Sequence, residues 1–193
     1  MSARTRSFPR WRPPQAEVVV ARRWRYRALV VLLAFLDVFA RLLPIDAGPG
    51  GFPGPDIILL LAFVWVLRRP DYVPALLVAA VMLMTDVLFL RPLGLWAACV
   101  VLGLEFLRSR EAASRDLPFL LEWMMVTGVI VSMTVGYVIT LAIFAVDQPA
   151  LGLTLIQMIM TILCYPLAVV FSGRILGLRK MAPGAVEQLG HRL

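Results

Sequence analysis

Histidine occurs once in this chain, at His191, and cysteine twice, at Cys99 and Cys164. Charged residues fill only 16% of the 193 positions, where a soluble domain carries roughly 25%. Each scarcity excludes a class of function. A hydrolase working through an activated nucleophile needs a base beside it, and the lone histidine lies in the polar carboxy-terminal segment. The two cysteines fall inside apolar runs and have no metal-type spacing, so neither a disulfide framework nor a metal centre is expected. No aspartate cluster is present to hold a metal for phosphoalcohol transfer, and no glycine-rich phosphate loop marks an ATP site. The expectation is a protein that is not an enzyme and uses no cofactor. No internal repeat is visible, and the chain is too short for the two repeats of a typical secondary transporter.

What is abundant is apolar sequence, 61% of the residues, and it comes in long runs. That pattern predicts an all-α, polytopic membrane bundle of about six spans. An amino-terminal segment, 1–23, reads as a basic cytoplasmic tail, 24–178 as the membrane domain and 179–193 as a short cytoplasmic tail. Met1 to Ala16 is expected to be disordered, because it has too little apolar area to offset chain entropy. The first reading of Glu17 to Arg27 is a retained tail that only sets topology; the second is a short basic helix on anionic lipid, with Val18, Val19, Val20 and Trp24 inward. The basic lead is too long for a signal peptide, and no small-x-small cleavage site follows.

The runs are Trp24 to Leu43, Asp56 to Leu67, Tyr72 to Leu90, Leu93 to Leu107, Phe119 to Val146 and Ala150 to Leu178. The second has 12 residues, about 18 Å of helix against a hydrocarbon core of roughly 30 Å. It must thin the bilayer, lean on neighbours or be re-entrant. Charge sets the orientation. Eight arginines lie in the first 27 residues and two at Arg68-Arg69. Arg108, Arg110 and Arg115 add three, and Arg174, Arg179, Lys180 and Arg192 add four. With both termini cytoplasmic, 17 of the 19 basic residues fall on one side, and only Arg41 and Arg91 on the other. This asymmetry accounts for the net charge of +7 without nucleic acid.

Acids inside apolar runs are costly, so each is a site candidate by default. Asp37 is expected to pair with Arg41 on one helix face, Asp86 with Arg91, Glu105 with Arg108 and Glu122 with Arg115. Asp86, just before a turn, is the first candidate for an ion or ligand pathway if its pairing fails. Gly128, Ser132 and Gly136 recur every four residues, a stripe that admits a close helix neighbour. Packing within the chain is its expected use, with docking of a partner's helix as the second; Gly173 and Gly177 repeat the pattern. Pro166 frees the carbonyl of Ile162, for which Thr161 or Gln157 are the nearby donors. The methionines in the spans, among them Met82, Met84, Met124 and Met158, read as gap fillers.

One set of motifs carries more. It comprises Gly54-Pro55-Asp56 with Ile57 to Ala62, then Trp65 to Pro70, and Asp86 within Met84-Thr85-Asp86-Val87-Leu88. It continues with Arg91-Pro92-Leu93-Gly94-Leu95-Trp96, Glu105 to Arg108, Gln157 and Tyr165-Pro166. With these the chain from about Trp24 resembles the rod shape-determining MreD family, and the Asp86 and Pro92-Leu93-Gly94 pair is the most specific part. The resemblance implies a non-enzymatic subunit of the bacterial cell-elongation complex in the inner membrane. Such a subunit is needed for rod shape and regulates lateral-wall peptidoglycan synthesis. It implies as partners an MreC-like bitopic protein, the MreB filament system, and a lateral-wall polymerase with its penicillin-binding transpeptidase, besides membrane lipids. Asp56, Asp86, Pro92, Gly94, Gly128, Ser132 and Gly136 are then the candidates for structural or docking roles. The alternative is a vitamin-binding membrane subunit of an energy-coupling transporter, a class similar to MreD in expected fold. It needs a pocket lined by several convergent polar or aromatic groups, for which the spans offer mainly Asp37, Asp86 and Gln157.

Overall fold

The computed structural model describes residues 15–43, 54–114, 117–146 and 150–174. Among them the structure is helical, with no strand. Helix α1 spans Gln15–Leu42, α2 Ile57–Arg68, α3 Ala75–Leu88, α4 Leu95–Ser109, α5 Glu111–Ser114, α6 Phe119–Ile143 and α7 Leu151–Arg174, and Pro70–Tyr72 form a 3-10 turn. Two helices, α6 and α7, are long and apolar enough to cross a membrane, whereas α2 and α3 are shorter apolar helices.

The fold is built around its shortest apolar run. Every residue of α2 from Ile58 to Arg68 is buried, as befits a helix that is apolar on all sides. Helices α1, α4 and α7 enclose it. A 12-residue segment is thus accommodated by leaning on its neighbours. Its ends are set locally. The Asp56 carboxylate accepts from the Leu59 amide at 3.1 Å and caps the first turn. Pro70 stops the helix, because it lacks an N–H and forces Arg69 out of helical backbone.

Cross-helix hydrogen bonds fix the register. Helix α7 runs parallel to α2: the Asp56 amide donates to Thr161 Oγ1 at 3.0 Å, and Trp65 Nε1 to Ser172 Oγ at 3.1 Å. Helix α6 runs antiparallel to α7, with the Tyr165 hydroxyl donating to Glu122 Oε1 at 2.7 Å. Helix α4 closes against α6 at Gly103. A Cβ there would meet Val129 Cγ1 at 2.9 Å and Phe63 Cζ at 3.2 Å, so only glycine lets the two helices approach.

One end of the bundle collects basic side chains. Arg23 pairs with Asp71 at 3.1 Å, Arg27 donates to the Asp71 carbonyl, and Arg108 donates to the Val73 carbonyl. Tyr26 stacks on Tyr72 at 4.5 Å. These contacts tie both α1 and the carboxy-terminal end of α4 to the turn after α2. The outer faces are apolar: Phe35, Leu102, Ile143, Leu163 and Leu167 are all exposed.

Several expectations change. The segment Glu17 to Arg27 is not a separate surface helix but part of one continuous α1 that begins at Gln15. Met84 and Met124 face outward, so they fill no gaps, although Met82 is buried. The segment before Gln15, the 44–53 loop, Arg115, the Asp147-Gln148-Pro149 turn, Gly177 and the 179–193 tail lie outside the described residues.

Candidate functional site

Two places in the bundle bring the singled-out residues together. The first is the turn joining α3 to α4. Helix α4 starts at Gly94, which adopts φ +80° and has no side chain with which to cap the helix. Asp86 supplies the missing group from the preceding helix. It is fully buried, and its Oδ2 accepts from the Gly94 amide at 3.1 Å and the Ala97 amide at 3.2 Å. A carboxylate at a helix amino terminus meets unpaired N–H groups and the positive end of the helix dipole.

The expected Asp86–Arg91 ion pair therefore does not form. Asp86 turns toward α4, and the Arg91 guanidinium lies over the rings of Phe89 and Trp96, 5.5 and 5.8 Å from their centroids. Pro92 closes the turn by accepting from the Leu95 amide at 3.2 Å, and Leu90, with φ 52°, projects almost fully exposed. Two other acids behave as expected: Asp37 meets Arg41 at 2.9 Å and Glu105 meets Arg108 at 2.7 Å. Glu122 accepts from Tyr165, a contact with no signal in the local sequence because 43 residues separate the two.

The second place is a groove of about 570 Å³ on the outside of α4 and α6. Gly128, Ser132 and Gly136 line it with Cys99, Leu102 and Phe106. Nothing lies within 4 Å of a Cβ built at Gly128 or Gly136, and Ser132 is exposed, its hydroxyl donating back to the Gly128 carbonyl. Among the described residues the stripe therefore has no close neighbour, where packing within the chain is the expected use. The internal contact it would have made is taken by Gly103, on the other helix. A Cβ built at Gly173 would meet only Arg68 Nη1, at 3.9 Å, so no close helix approach depends on it among the described residues.

Pro166 also finds an unexpected partner. The carbonyl of Ile162 that it frees accepts from Trp123 Nε1 of α6 at 3.1 Å. Thr161 instead donates to the Gln157 carbonyl while accepting from the Asp56 amide. Asp56 is a helix cap inside the bundle, 8% exposed, which removes it from any outer docking surface.

These features define a helical bundle with an apolar exterior, an uncovered small-residue groove and a carboxylate-capped turn. No protein-family model matches the chain, and no curated protein or solved structure matches it either.

Proposed function

We propose that this chain is a multi-pass subunit of the bacterial inner membrane that regulates lateral-wall peptidoglycan synthesis by docking single-span partners, as its resemblance to the MreD family implies. Six helices, α1 to α4 with α6 and α7, form the membrane part in this reading. Both termini are cytoplasmic, on the side of the basic end of the bundle. The MreC-like bitopic protein takes the groove between α4 and α6. The wall polymerase, its transpeptidase and the MreB filament system are met through it or beside it.

The observation that carries this reading is the open stripe of Gly128, Ser132 and Gly136. In a bilayer, helices associate through close packing of small residues rather than through water release. A stripe left uncovered by the described residues is a surface for another helix. The topology draws support from the contacts that gather Arg23, Arg27 and Arg108 at one end of the bundle; Arg91, at the turn between α3 and α4, lies at the other.

A mild-detergent pull-down of the tagged chain from its native membranes, read by mass spectrometry, tests the proposal. Recovery of a bitopic protein with the wall synthase is the expected result, and Ser132→Leu should abolish it while leaving the thermal unfolding of the subunit unchanged. Recovery of paired ATPases and a coupling subunit would replace this reading with the vitamin-transporter one. A Ser132→Leu chain that still brings down its partner would remove the groove from the mechanism.

A further inference from the structure

A separate feature follows from the shortness of α2. Helix α7 runs beside it in the same direction, but α7 has 24 residues and α2 only 12. With Asp56 level with Thr161, the first ten residues of α7 extend past the end of α2. Among the described residues, no other helix fills the space above α2. It is a cavity of about 240 Å³, floored by Asp56 and Leu59 and walled by the α3–α4 turn, α6 and α7.

Its polar groups are conspicuous for what they do not do. Among the described residues, the guanidinium of Arg91 makes no hydrogen bond or ion pair; it lies over the rings of Phe89 and Trp96, with the Asp86 carboxylate close enough for its charge to be felt. Trp96 Nε1 is buried and has no acceptor. The Tyr137 ring meets Trp96 edge-on at 5.2 Å, and its hydroxyl also has no partner in the described chain. A buried donor without an acceptor is unfavourable, and Trp96 Nε1 is one; Arg91 from the preceding turn and Tyr137 from α6 line the same space. The nearby carboxylates do not supply the acceptor. Asp86 Oδ2 accepts from the amides of α4; its Oδ1 is buried and accepts from none of the three donors, and Asp56 Oδ1 accepts from the Leu59 amide at the floor. Leu59, Ile130, Leu153 and Met158 supply the apolar part of the lining, and Thr134, Thr154, Gln157 and Thr161 its remaining polar side chains.

We infer that this cavity binds a small organic anion, with its carboxylate or phosphate group against Arg91, Trp96 and Tyr137 and its apolar body over Leu59, Ile130 and Met158. A cavity of about 150 Å³ accommodates benzene, so the larger space here takes a ring with one anionic substituent. The anionic group can arrive on a free solute or as the headgroup of a membrane lipid, and both sources present the same chemistry to Arg91. This site rests on the cavity alone and stands apart from the docking groove, so the two can fail independently.

The test uses the full chain in phosphatidylcholine nanodiscs and 4-fluorobenzoate as the probe, followed by ¹⁹F line broadening. The neutral 4-fluorobenzyl alcohol reports simple partition into the bilayer. Saturable broadening of the benzoate beyond that of the alcohol is expected. Arg91→Met should weaken it at least about tenfold, and Trp96→Phe, which keeps the ring and removes only the unpartnered N–H, about three- to tenfold. Nanodiscs enriched in phosphatidylglycerol that displace the probe would assign the site to lipid headgroups; an unchanged signal would assign it to free solutes. Equal behaviour of benzoate and alcohol, or full benzoate binding in both variants, would overturn the inference. Trp96→Phe breaks no hydrogen bond in the chain, so it remains informative if Arg91→Met fails to fold.

Discussion

Helices α2 and α7 are both apolar, yet they face opposite surroundings. Helix α2 is buried over 11 of its 12 residues, whereas α7 buries three side chains, Thr161, Tyr165 and Ser172, two of them hydroxyl-bearing neighbours of α2. Helix α7 turns its polar groups inward and its leucines outward. Hydropathy alone does not separate a core helix from an outer one in such a chain. Length and the placement of polar groups do: the short run has charge at both ends and goes inside, and the long run hides its hydroxyls and shows its apolar face.

The sharpest way to break the comparison is to truncate one side chain on each helix. Trp65→Ala removes a fully buried indole and its bond to Ser172. It should cost about 3–5 kcal/mol, seen as a large fall in the thermal unfolding temperature of the detergent-purified protein. Leu167→Ala on the outer face of α7 should cost under about 0.5 kcal/mol in the same assay. Equal losses would mean that α7 is as enclosed as α2.

The two glycine positions give the next largest contrast. Gly103→Leu forces a side chain into Val129 and Phe63 and should destabilise by about 1–3 kcal/mol. Gly128→Leu enters open space and should leave unfolding unchanged while reducing partner recovery in the pull-down. A stability loss at Gly128 would place that stripe inside the bundle after all.

At the α3–α4 turn, Asp86→Leu should cost about 1–2 kcal/mol through loss of the cap on α4, and Asp86→Asn, which keeps an acceptor oxygen, less than half as much. Equal costs for the two would show that the charge, not the acceptor, matters. Smaller still, Tyr165→Phe should cost about 1 kcal/mol by removing the hydroxyl that donates to Glu122. Unfolding in denaturant measures both.

Much of this arrangement is legible in the sequence. The apolar runs mark α2, α3, α4, α6 and α7 to within a few residues, and the Asp37–Arg41 and Glu105–Arg108 pairs follow from helical spacing alone. What could not be read depends on register between helices. Spacing shows that Gly128, Ser132 and Gly136 share a face but not which neighbour that face meets. The single Gly103, with no repeat to announce it, makes the real contact. Asp86 has two plausible partners within reach, a guanidinium and a row of amides, and only the direction of α4 decides between them. The cavity is the least legible feature, because it is a difference in length between α2 and α7, which are distant in sequence.

That distance has a consequence for biogenesis. The two hydrogen bonds that seat α2 against α7 join residues 105 and 107 positions apart. At ribosomal speeds of about 5–20 residues per second, α7 emerges roughly 5–20 s after α2. Throughout that interval the segment destined for the centre of the molecule is too short to span the bilayer alone and lacks its main neighbour. The last helix described is therefore the keystone of assembly, and a ribosome that stalls before α7 leaves an open ring around an unclaimed α2.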